Sequence, residues 1–164
     1  MRSLPQRPRR NRRTEAIRRL VRETGLTPDH LVLPLFVCAG KNRRIAISSM
    51  PGIYRLSRDL LVKEARAAWK LGLPAIALFP ALDERLKDAT ASESVNPDGL
   101  LQQTVRAVKD AVPGLTVITD VAMDPYSSDG HDGWVDEQGR IDNDRTLDIL
   151  ADMAVAQARA GAGL

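Results

Sequence analysis

Three short apolar runs, each followed by a segment with helical periodicity, constrain the fold of this chain more than any other feature. The runs occupy residues 31–37, 75–79 and 115–119. Each is too short for a buried helix, and continuous apolar runs of this length are typical of strands buried on both faces of a parallel sheet. The order strand, helix, strand, helix, strand, helix therefore predicts an α/β fold built from parallel βαβ units.

Apolar side chains at three- and four-residue spacing mark the helical segments that follow these runs. We expect one helix from Ser57, its N-terminal cap, to about Leu71, and a second over residues 101–112. Asp144 is predicted to cap the third helix, which is closed by residues 160–163. One face of this third helix is expected to carry its apolar side chains, namely Leu147, Leu150, Ala154 and Ala158.

The connections between these elements are punctuated by proline and glycine. Residues 41–56 are expected to form a loop or a small hairpin, and residues 136–139 a turn. Pro34 lacks the backbone donor of a strand, so it is expected near the start of its strand or at a sheet edge. The second strand is expected to stop at Pro80. Residues 83–99 form a polar, mostly irregular connection, and a connection of that length is more often functional than a simple link.

The N-terminal segment is far more basic than the rest of the chain. Residues 1–22 contain nine arginines and one acid, and the remainder carries a net charge of −5. We expect residues 1–25 to form a basic arm with a short helix from Thr14 to about Thr24, and residues 26–164 to form the α/β domain. The arm could bind nucleic acid or a membrane surface, or dock on an acidic surface of a neighbouring subunit. No aromatic residue is interleaved with its arginines, so nucleic acid is not an expected partner.

Composition excludes several classes of protein. No apolar run approaches the roughly 20 residues of a transmembrane helix, and the N-terminus lacks the apolar core of a secretory signal. Cys38 is the single cysteine, so no internal disulfide can form. We therefore expect a cytoplasmic protein in a reducing compartment, without a membrane partner.

A dense group of carboxylates and turn residues follows the third predicted strand. Residues 120–133 read D-V-A-M-D-P-Y-S-S-D-G-H-D-G. Acidic side chains clustered at the end of a buried strand are costly to place there without a purpose. In α/β architectures the carboxyl ends of the strands are where ligands bind and catalysis occurs. Periodicity alone does not separate a barrel from a doubly wound open sheet.

The acidic segment resembles the metal-binding segment of the delta-aminolevulinic acid dehydratase (porphobilinogen synthase) family. In zinc-dependent members that segment reads D-V-C-x-C-P-Y-x-x-x-G-H-C-G, and the three cysteine positions are here Ala122, Asp124 and Asp132. Residues 9–13 are similar to the R-x-R-R motif of the family's arm, and residues 50–55 also resemble the family closely.

The resemblance implies the N-terminal part of a TIM (β/α)₈ barrel, with an extended N-terminal arm and the first three βα units. Members are about twice as long as this chain, and Leu164 falls where a fourth strand is expected to begin. The family forms large homo-oligomers, so an octamer or hexamer is expected of the full-length protein. Alone, this chain is expected to fold poorly.

The implied reaction is the condensation of two molecules of 5-aminolevulinate to porphobilinogen with loss of water, in tetrapyrrole and haem biosynthesis. Asp120 matches an active-site acid of the family and is the candidate catalytic residue. Tyr126, Ser127 and His131 are the candidate active-site loop residues, and His131 could serve either structure or catalysis. The family's Schiff-base lysines have no counterpart here, so this chain alone is expected to be inactive.

The substitutions at the cysteine positions change the metal that the resemblance implies. Asp124 and Asp132 replace soft thiolates with carboxylates, and Ala122 offers no ligand, so zinc is not expected. Carboxylates and water suit Mg²⁺, and the family's aspartate-bearing members are magnesium- or potassium-responsive or metal-independent. The cofactor expectation is therefore Mg²⁺, or K⁺, or none. The alternative function is a non-catalytic half-barrel that binds or modulates full-length subunits.

Overall fold

A five-stranded sheet organises the chain in the computed structural model, which describes residues 9–164. The strands lie in the order β2-β3-β1-β4-β5 across the sheet, and a separate pair, β6 and β7, forms a small hairpin. Their bounds are Val32–Cys38 (β1), Arg44–Ala46 (β2), Tyr54–Ser57 (β3), Ala75–Ala81 (β4), Thr116–Thr119 (β5), Trp134–Val135 (β6) and Ile141–Asp142 (β7).

Four α-helices accompany the strands within residues 9–164, namely Glu15–Leu20 (α1), Arg58–Lys70 (α2), Leu100–Ala111 (α3) and Asn143–Ala160 (α4). Helix α2 directly follows β3, α3 follows β4 after a long loop, and α4 follows β7 of the small hairpin. Strands β3, β1, β4 and β5 run parallel, and β2 pairs antiparallel with β3 at one edge. The predicted α/β class with a parallel sheet is therefore confirmed.

The core lies between the sheet and helices α2 and α3. Leu61 and Ala65 of α2 and Val105 and Val108 of α3 have no exposed surface. They pack with apolar strand side chains such as Ile76 in one continuous cluster. Each of these helices thus buries the single apolar stripe that its periodicity predicted.

The prediction of three strands was incomplete, because the 41–56 connection adds two more to the sheet. It is a hairpin, as one of the two alternatives proposed, but β3 also pairs in parallel with β1, with Phe36 opposite Arg55 and Cys38 opposite Ser57. Strands of three and four residues are too short to show an alternation in sequence. The pairing of β3 arises from backbone groups at the edge of β1, and β2 then pairs with β3.

Pro34 and Pro80 both lie within strands, at positions where the strand has a neighbour on only one side. Pro34 is opposite Ala77 of β4, while β3 pairs with β1 only from Phe36 onward. The prediction that β4 stops at Pro80 was wrong, since the strand continues to Ala81. The pairing of β4 with β5 ends two residues before Pro80, so its missing N–H costs no ladder hydrogen bond on that side.

The capping predictions were only partly right. Thr14 caps α1, its Oγ1 accepting from the Ile17 N–H at 3.2 Å, but the helix ends at Leu20 rather than near residue 24. Ser57 precedes α2, yet its hydroxyl donates to the Asp59 carboxylate at 2.6 Å instead of capping the helix. The cap of α4 is not the predicted Asp144.

The position that caps α4 lies two residues earlier in the chain. Asp142 accepts from the Arg145 N–H at 3.2 Å and begins the helix, so Asp144 lies within its first turn. An aspartate in the first turn still interacts favourably with the helix dipole, so Asp144 stabilises the helix without capping it.

The predicted inner face of α4 was also wrong. The buried residues of this helix are Thr146, Met153, Gln157 and Ala160. Leu147, on the predicted apolar face, is 63% exposed. Two stripes of α4 carry apolar side chains, and the buried stripe also carries two polar ones. Polar side chains are stable in a buried position when they form hydrogen bonds, and Thr146 and Gln157 both form them here.

The two ends of the described chain differ in their contacts. The start of the predicted arm, including Pro5 and Pro8, lies outside the described residues, and residues 9–25 contain no buried side chain. At the other end the Gly163 N–H donates to the Val117 carbonyl at 2.9 Å, and the Thr119 N–H donates to the Leu164 carbonyl at 3.0 Å. The chain thus returns beside β5, where the fourth strand was expected to begin. None of the helices within residues 9–164 has the length and apolar character needed to span a bilayer.

Candidate functional site

Two loops meet at the carboxyl ends of the parallel strands. The β4 loop comprises residues 82–99 and the β5 loop residues 120–133. Their backbones are joined directly, because the Asp88 N–H donates to the Tyr126 carbonyl at 3.2 Å and the Ser128 N–H donates to the Asp88 carbonyl at 3.1 Å. In parallel α/β folds this edge is where binding sites form.

The β4 loop is held together by a single carboxylate. Asp88 accepts hydrogen bonds from the Thr90 N–H at 2.9 Å, the Thr90 hydroxyl at 3.0 Å and the Ser92 N–H at 3.1 Å. The Ser92 hydroxyl also donates to it. These bonds, that of the Ser92 hydroxyl foremost, lower the pKa of Asp88 from its ordinary value. This carboxylate has a structural role.

The β5 loop is wrapped around the main chain of one buried methionine. The carbonyl of Met123 accepts from the N–H groups of Tyr126 and Ser127, both at 2.8 Å. The N–H of Met123 donates to the Asp132 carboxylate at 2.6 Å. The side chain of Met123 has no exposed surface. Asp132, a predicted metal ligand, therefore also closes the loop.

Two glycines of the loop are required by its geometry. Gly130 has φ +69°, a left-handed conformation that side chains rarely adopt. Gly133 lies so close to α4 and β7 that an added Cβ would come within 2.6 Å of the Ile141 side chain and 3.3 Å of the Thr146 hydroxyl. This close approach lets the Trp134 N–H donate to the Thr146 hydroxyl at 3.0 Å.

Three aspartates of the loop share one electrostatic environment. The pKa of Asp124 is raised, first by burial and then by the negative charges of Asp132 and Asp120. The positive charge of Lys87, from the β4 loop, acts in the opposite direction. The structure thus brings the predicted catalytic acid and both predicted metal ligands together.

A cavity of about 450 Å³ opens beside this cluster. Its lining includes the stacked rings of Phe36 and Phe79, whose centroids are 5.5 Å apart. Arg55 and Lys87 supply cations to the lining and Asp124 supplies a carboxylate. The Lys87 ammonium is 2.7 Å from the Glu84 carboxylate. The cavity therefore combines an apolar surface with charges of both signs.

The remaining predicted site residues differ in their access to solvent. Tyr126 is 2% exposed, and its hydroxyl has no hydrogen-bond partner within the described part of the chain. Burial is the main cause of its raised pKa, followed by the charges of Glu93 and Asp120. Ser127 is also buried, and its hydroxyl accepts from the Asp129 N–H at 3.2 Å. His131 is exposed on the loop.

The fit of a metal ion can be judged from the donors present. Ala122 is buried and offers no ligand atom, so the thiolate set of a zinc centre is absent at these positions. Within residues 9–164, no three His, Cys, Asp or Glu side chains converge as a metal centre. Asp124 and Asp132 are carboxylates that suit Mg²⁺, which usually retains several waters.

Two residues near the site were missed by the sequence interpretation. Lys87 was not named as a site residue, although its place in the loop after β4 puts it at the carboxyl edge. Gln157 was missed because the wrong face of α4 was predicted to point inward. The available signal was an amide between Met153 and Ala160 on one helical stripe.

A parallel sheet with helices after its strands, and an acidic loop at its carboxyl edge, defines part of a TIM-barrel protein with a candidate site in the usual place. A family model described as delta-aminolevulinic acid dehydratase matches residues 5–164. The chain belongs to the delta-aminolevulinic acid dehydratase family.

Individual relatives agree with this assignment. The chain is 51% identical to a delta-aminolevulinic acid dehydratase of Bradyrhizobium diazoefficiens over 94% of its own length and 44% of that protein. It is 47% identical to a chloroplastic relative of Chlamydomonas reinhardtii, of which it covers 41%. A crystal structure of the Toxoplasma gondii ME49 enzyme, in complex with the reaction product porphobilinogen, matches with a TM-score of 0.92 and 49% identity. That match covers 97% of this chain and 45% of the other. The chain thus spans less than half the length of these relatives.

Proposed function

We propose that the whole protein to which this chain corresponds is a porphobilinogen synthase, which condenses two molecules of 5-aminolevulinate with loss of water. The observation that carries the proposal is the position of Asp120, Asp124 and Asp132 in the loop after β5, close enough to act on one another's charge, in a chain of this family. The reaction belongs to tetrapyrrole and haem biosynthesis. The amines that form Schiff bases with the substrate belong to lysines that have no counterpart among residues 1–164.

The cavity beside the β5 loop is complementary to the substrate in charge. 5-Aminolevulinate carries an ammonium group at one end and a carboxylate at the other, joined by a short keto chain. The cavity lining carries groups of both charges beside an apolar surface, namely Asp124, Glu84, Arg55, Lys87, Phe36 and Phe79. Oppositely charged groups on one lining select a zwitterion over a singly charged molecule of the same size.

Asp120 is the group that we propose exchanges protons with the substrate amine. It follows β5 directly, is exposed, and is near enough to act on the charge of Asp124, which lines the cavity. Neighbouring carboxylates make this region attractive to an ammonium group. A carboxylate within reach of the amine can accept its proton, which leaves the amine neutral and nucleophilic.

We also propose that any cation at the site is Mg²⁺ or K⁺ rather than zinc. Asp124 and Asp132 would hold it with water completing its coordination, and it would offset the charge of the cluster and orient the substrate. Chelation followed by readdition of metals tests this. Activity that Mg²⁺ restores and Zn²⁺ does not is the expected result, and restoration by Zn²⁺ alone contradicts it.

The assembly and location of the protein are also proposals. Leu20 and Leu26, near the arm, are 85% and 76% exposed, which favours a homo-oligomer that covers them. A hexamer or octamer is proposed from the family resemblance. Cys38 is a free thiol, which suits the cytoplasm.

A chimera tests the proposed function. Residues 1–164 would be joined to the part of the Bradyrhizobium diazoefficiens relative that follows its matched segment, and porphobilinogen formation from 5-aminolevulinate would be measured. The intact relative is the positive control and its C-terminal part alone is the negative control. Activity of the chimera at a level near that of the relative supports the proposal. A chimera that melts cooperatively and forms no porphobilinogen refutes it.

One observation favours the alternative of a non-catalytic subunit. Leu147 and Val155 of α4 are 63% and 48% exposed, so this helix presents apolar surface that a partner could cover. Mixing the chain with the intact relative separates the two functions. Co-elution with altered activity of the relative supports the alternative, and independent elution argues against it.

A further inference from the structure

Gln157 joins helix α4 to the end of strand β5 through two buried hydrogen bonds. Its Nε2 donates to the Asp120 carbonyl at 2.8 Å. Its Oε1 accepts from the Thr119 hydroxyl at 2.9 Å. The residue is only 3% exposed. Its bond to Thr119 is buried and its bond to Asp120 is partly buried, so water competes little with the first.

We infer that Gln157 is a positioning residue, which sets the orientation of Asp120 for the proton transfer proposed above. The inference rests on the proposed function, because it gives Asp120 a role in the reaction. The pairing of β4 with β5 ends at Thr119, one residue before the acid. Within residues 9–164 the β4–β5 ladder does not reach the Asp120 peptide group, and the amide of Gln157 binds its carbonyl.

The chemistry of a primary amide explains why glutamine suits this position. It offers a donor and an acceptor at a fixed separation, and both are used here. Met153 and Ala160 flank Gln157 on the buried stripe of α4, where an apolar side chain would otherwise be expected. A polar group in such a stripe is stable only when its partners are in place.

Helix α4 also holds the far end of the β5 loop. The Thr146 hydroxyl accepts from the Trp134 N–H at 3.0 Å, just after the loop ends, and donates to the Asp142 carbonyl at 2.6 Å. Thr146 and Gln157 are separated by about three helical turns, or roughly 16 Å along the axis. One rigid helix therefore fixes both ends of the loop that carries the acidic cluster.

Kinetics of the chimera described above test the inference. The variants are Gln157→Met, which removes both hydrogen bonds, and Gln157→Glu, which keeps the acceptor for Thr119 but loses the donor to Asp120. We expect kcat to fall about tenfold to a hundredfold while KM changes by less than about twofold, because misplacement of a reacting group affects the transition state more than binding. Thr119→Val should cause a smaller loss of kcat.

A matched control distinguishes positioning from loss of stability. Thr104→Val also removes a buried hydroxyl, which donates to the Leu100 carbonyl on α3, away from the site. It should lower the melting temperature without changing kcat. If the Gln157→Met protein does not fold, Gln157→Glu and Thr119→Val decide the question.

The outcomes separate the two proposals. An active parent chimera with unchanged kcat in the folded Gln157 variants overturns the inference and leaves the proposed function standing. A parent chimera that melts cooperatively but is inactive overturns both. A fall in kcat that the Thr104→Val control reproduces at equal loss of stability overturns the positioning role.

Discussion

The β4 and β5 loops lie side by side at one edge of the sheet, yet the pKa values of their key carboxyl groups are shifted in opposite directions. Asp88 of the β4 loop accepts four hydrogen bonds, and its pKa is lowered. Asp124 of the β5 loop is exposed, yet its pKa is raised, because neighbouring groups remove part of its water and two other aspartates act on it. The first carboxylate stabilises the fold as an anion, and the second is destabilised as an anion by its surroundings.

This difference indicates where the protein places its function. A carboxylate whose hydrogen bonds are satisfied gains nothing from a ligand, whereas clustered carboxylates gain from any cation or ammonium that joins them. Perturbed acids at the carboxyl edge of a barrel are typical of binding and catalytic sites. The β5 loop keeps its unfavourable charges because other contacts, such as the bond from the Met123 N–H to Asp132, hold it in shape.

Substitution of the candidate catalytic acid should have the largest effect. Asp120→Asn in the chimera is expected to lower kcat by about 10²- to 10⁴-fold, the usual contribution of a proton-transfer group. Asp129→Asn is the matched control, since Asp129 is an exposed aspartate of the same loop. Its kcat should stay within about twofold of the parent. Equal losses in the two variants would show that the loop tolerates no change of charge, and that Asp120 has no special role.

A substitution in the β4 loop should change the stability of the protein rather than its catalytic rate. Asp88→Asn is expected to lower the free energy of unfolding of the chimera by about 2 kcal/mol at pH 7, because hydrogen bonds to a charged acceptor are lost. The folded pKa of Asp88 is lowered, so the difference between parent and variant should be complete above pH 3.8 and vanish as the pH falls through the folded pKa. Urea unfolding at pH 7 and at acidic pH measures it.

Substitution of Asp124 should change stability in the opposite direction to substitution of Asp88. Its folded pKa is raised, so its anion costs stability at neutral pH, and that cost disappears as the pH falls toward 3.8. Asp124→Asn should therefore raise the melting temperature of the chimera at pH 7, with the gain fading in acid. A loss of stability at pH 7 would mean that the anion is satisfied in the folded protein, by a cation or by unseen donors.

The smallest effect is expected at an exposed pair of the β4 loop. Asp83 forms an ion pair with Arg85 at 2.8 Å, with both side chains open to solvent. Exposed pairs of this kind contribute little, so Asp83→Asn should leave urea unfolding unchanged within error. A loss as large as that of Asp88→Asn would show that the stability of this loop depends on its net charge rather than on the bonds of Asp88.

The sequence predicted those parts of the fold that depend on local pattern. Helices α2 and α3 each have one apolar stripe, and both were found as expected. Helix α4 has two, and only tertiary contacts of Thr146 and Gln157 decide which one is buried. The hairpin of β2 and β3 was one of the two alternatives predicted, but the parallel pairing of β3 with β1 was missed, because it depends on the edge of β1 rather than on a local pattern.

The candidate site shows the same limit. The position of Asp120, Asp124 and Asp132 after a strand was enough to predict that they lie at the carboxyl edge. No local pattern indicated that Asp132 binds the backbone of Met123. The satisfied state of Asp88 also depends on how the loop folds back on itself, which its sequence spacing did not reveal.

The contrast between the two loops is tested most directly by site-resolved titration of the aspartate carboxyl groups. Nuclear magnetic resonance of the chimera with ¹³C-labelled aspartate would give the pKa of Asp88 and Asp124 in one experiment. We predict that Asp88 titrates below the ordinary value of 3.8 and Asp124 above it, and that Asp120→Asn moves the pKa of Asp124 downward. Two ordinary values, or the reverse order, would contradict the assignment of structure to one loop and function to the other.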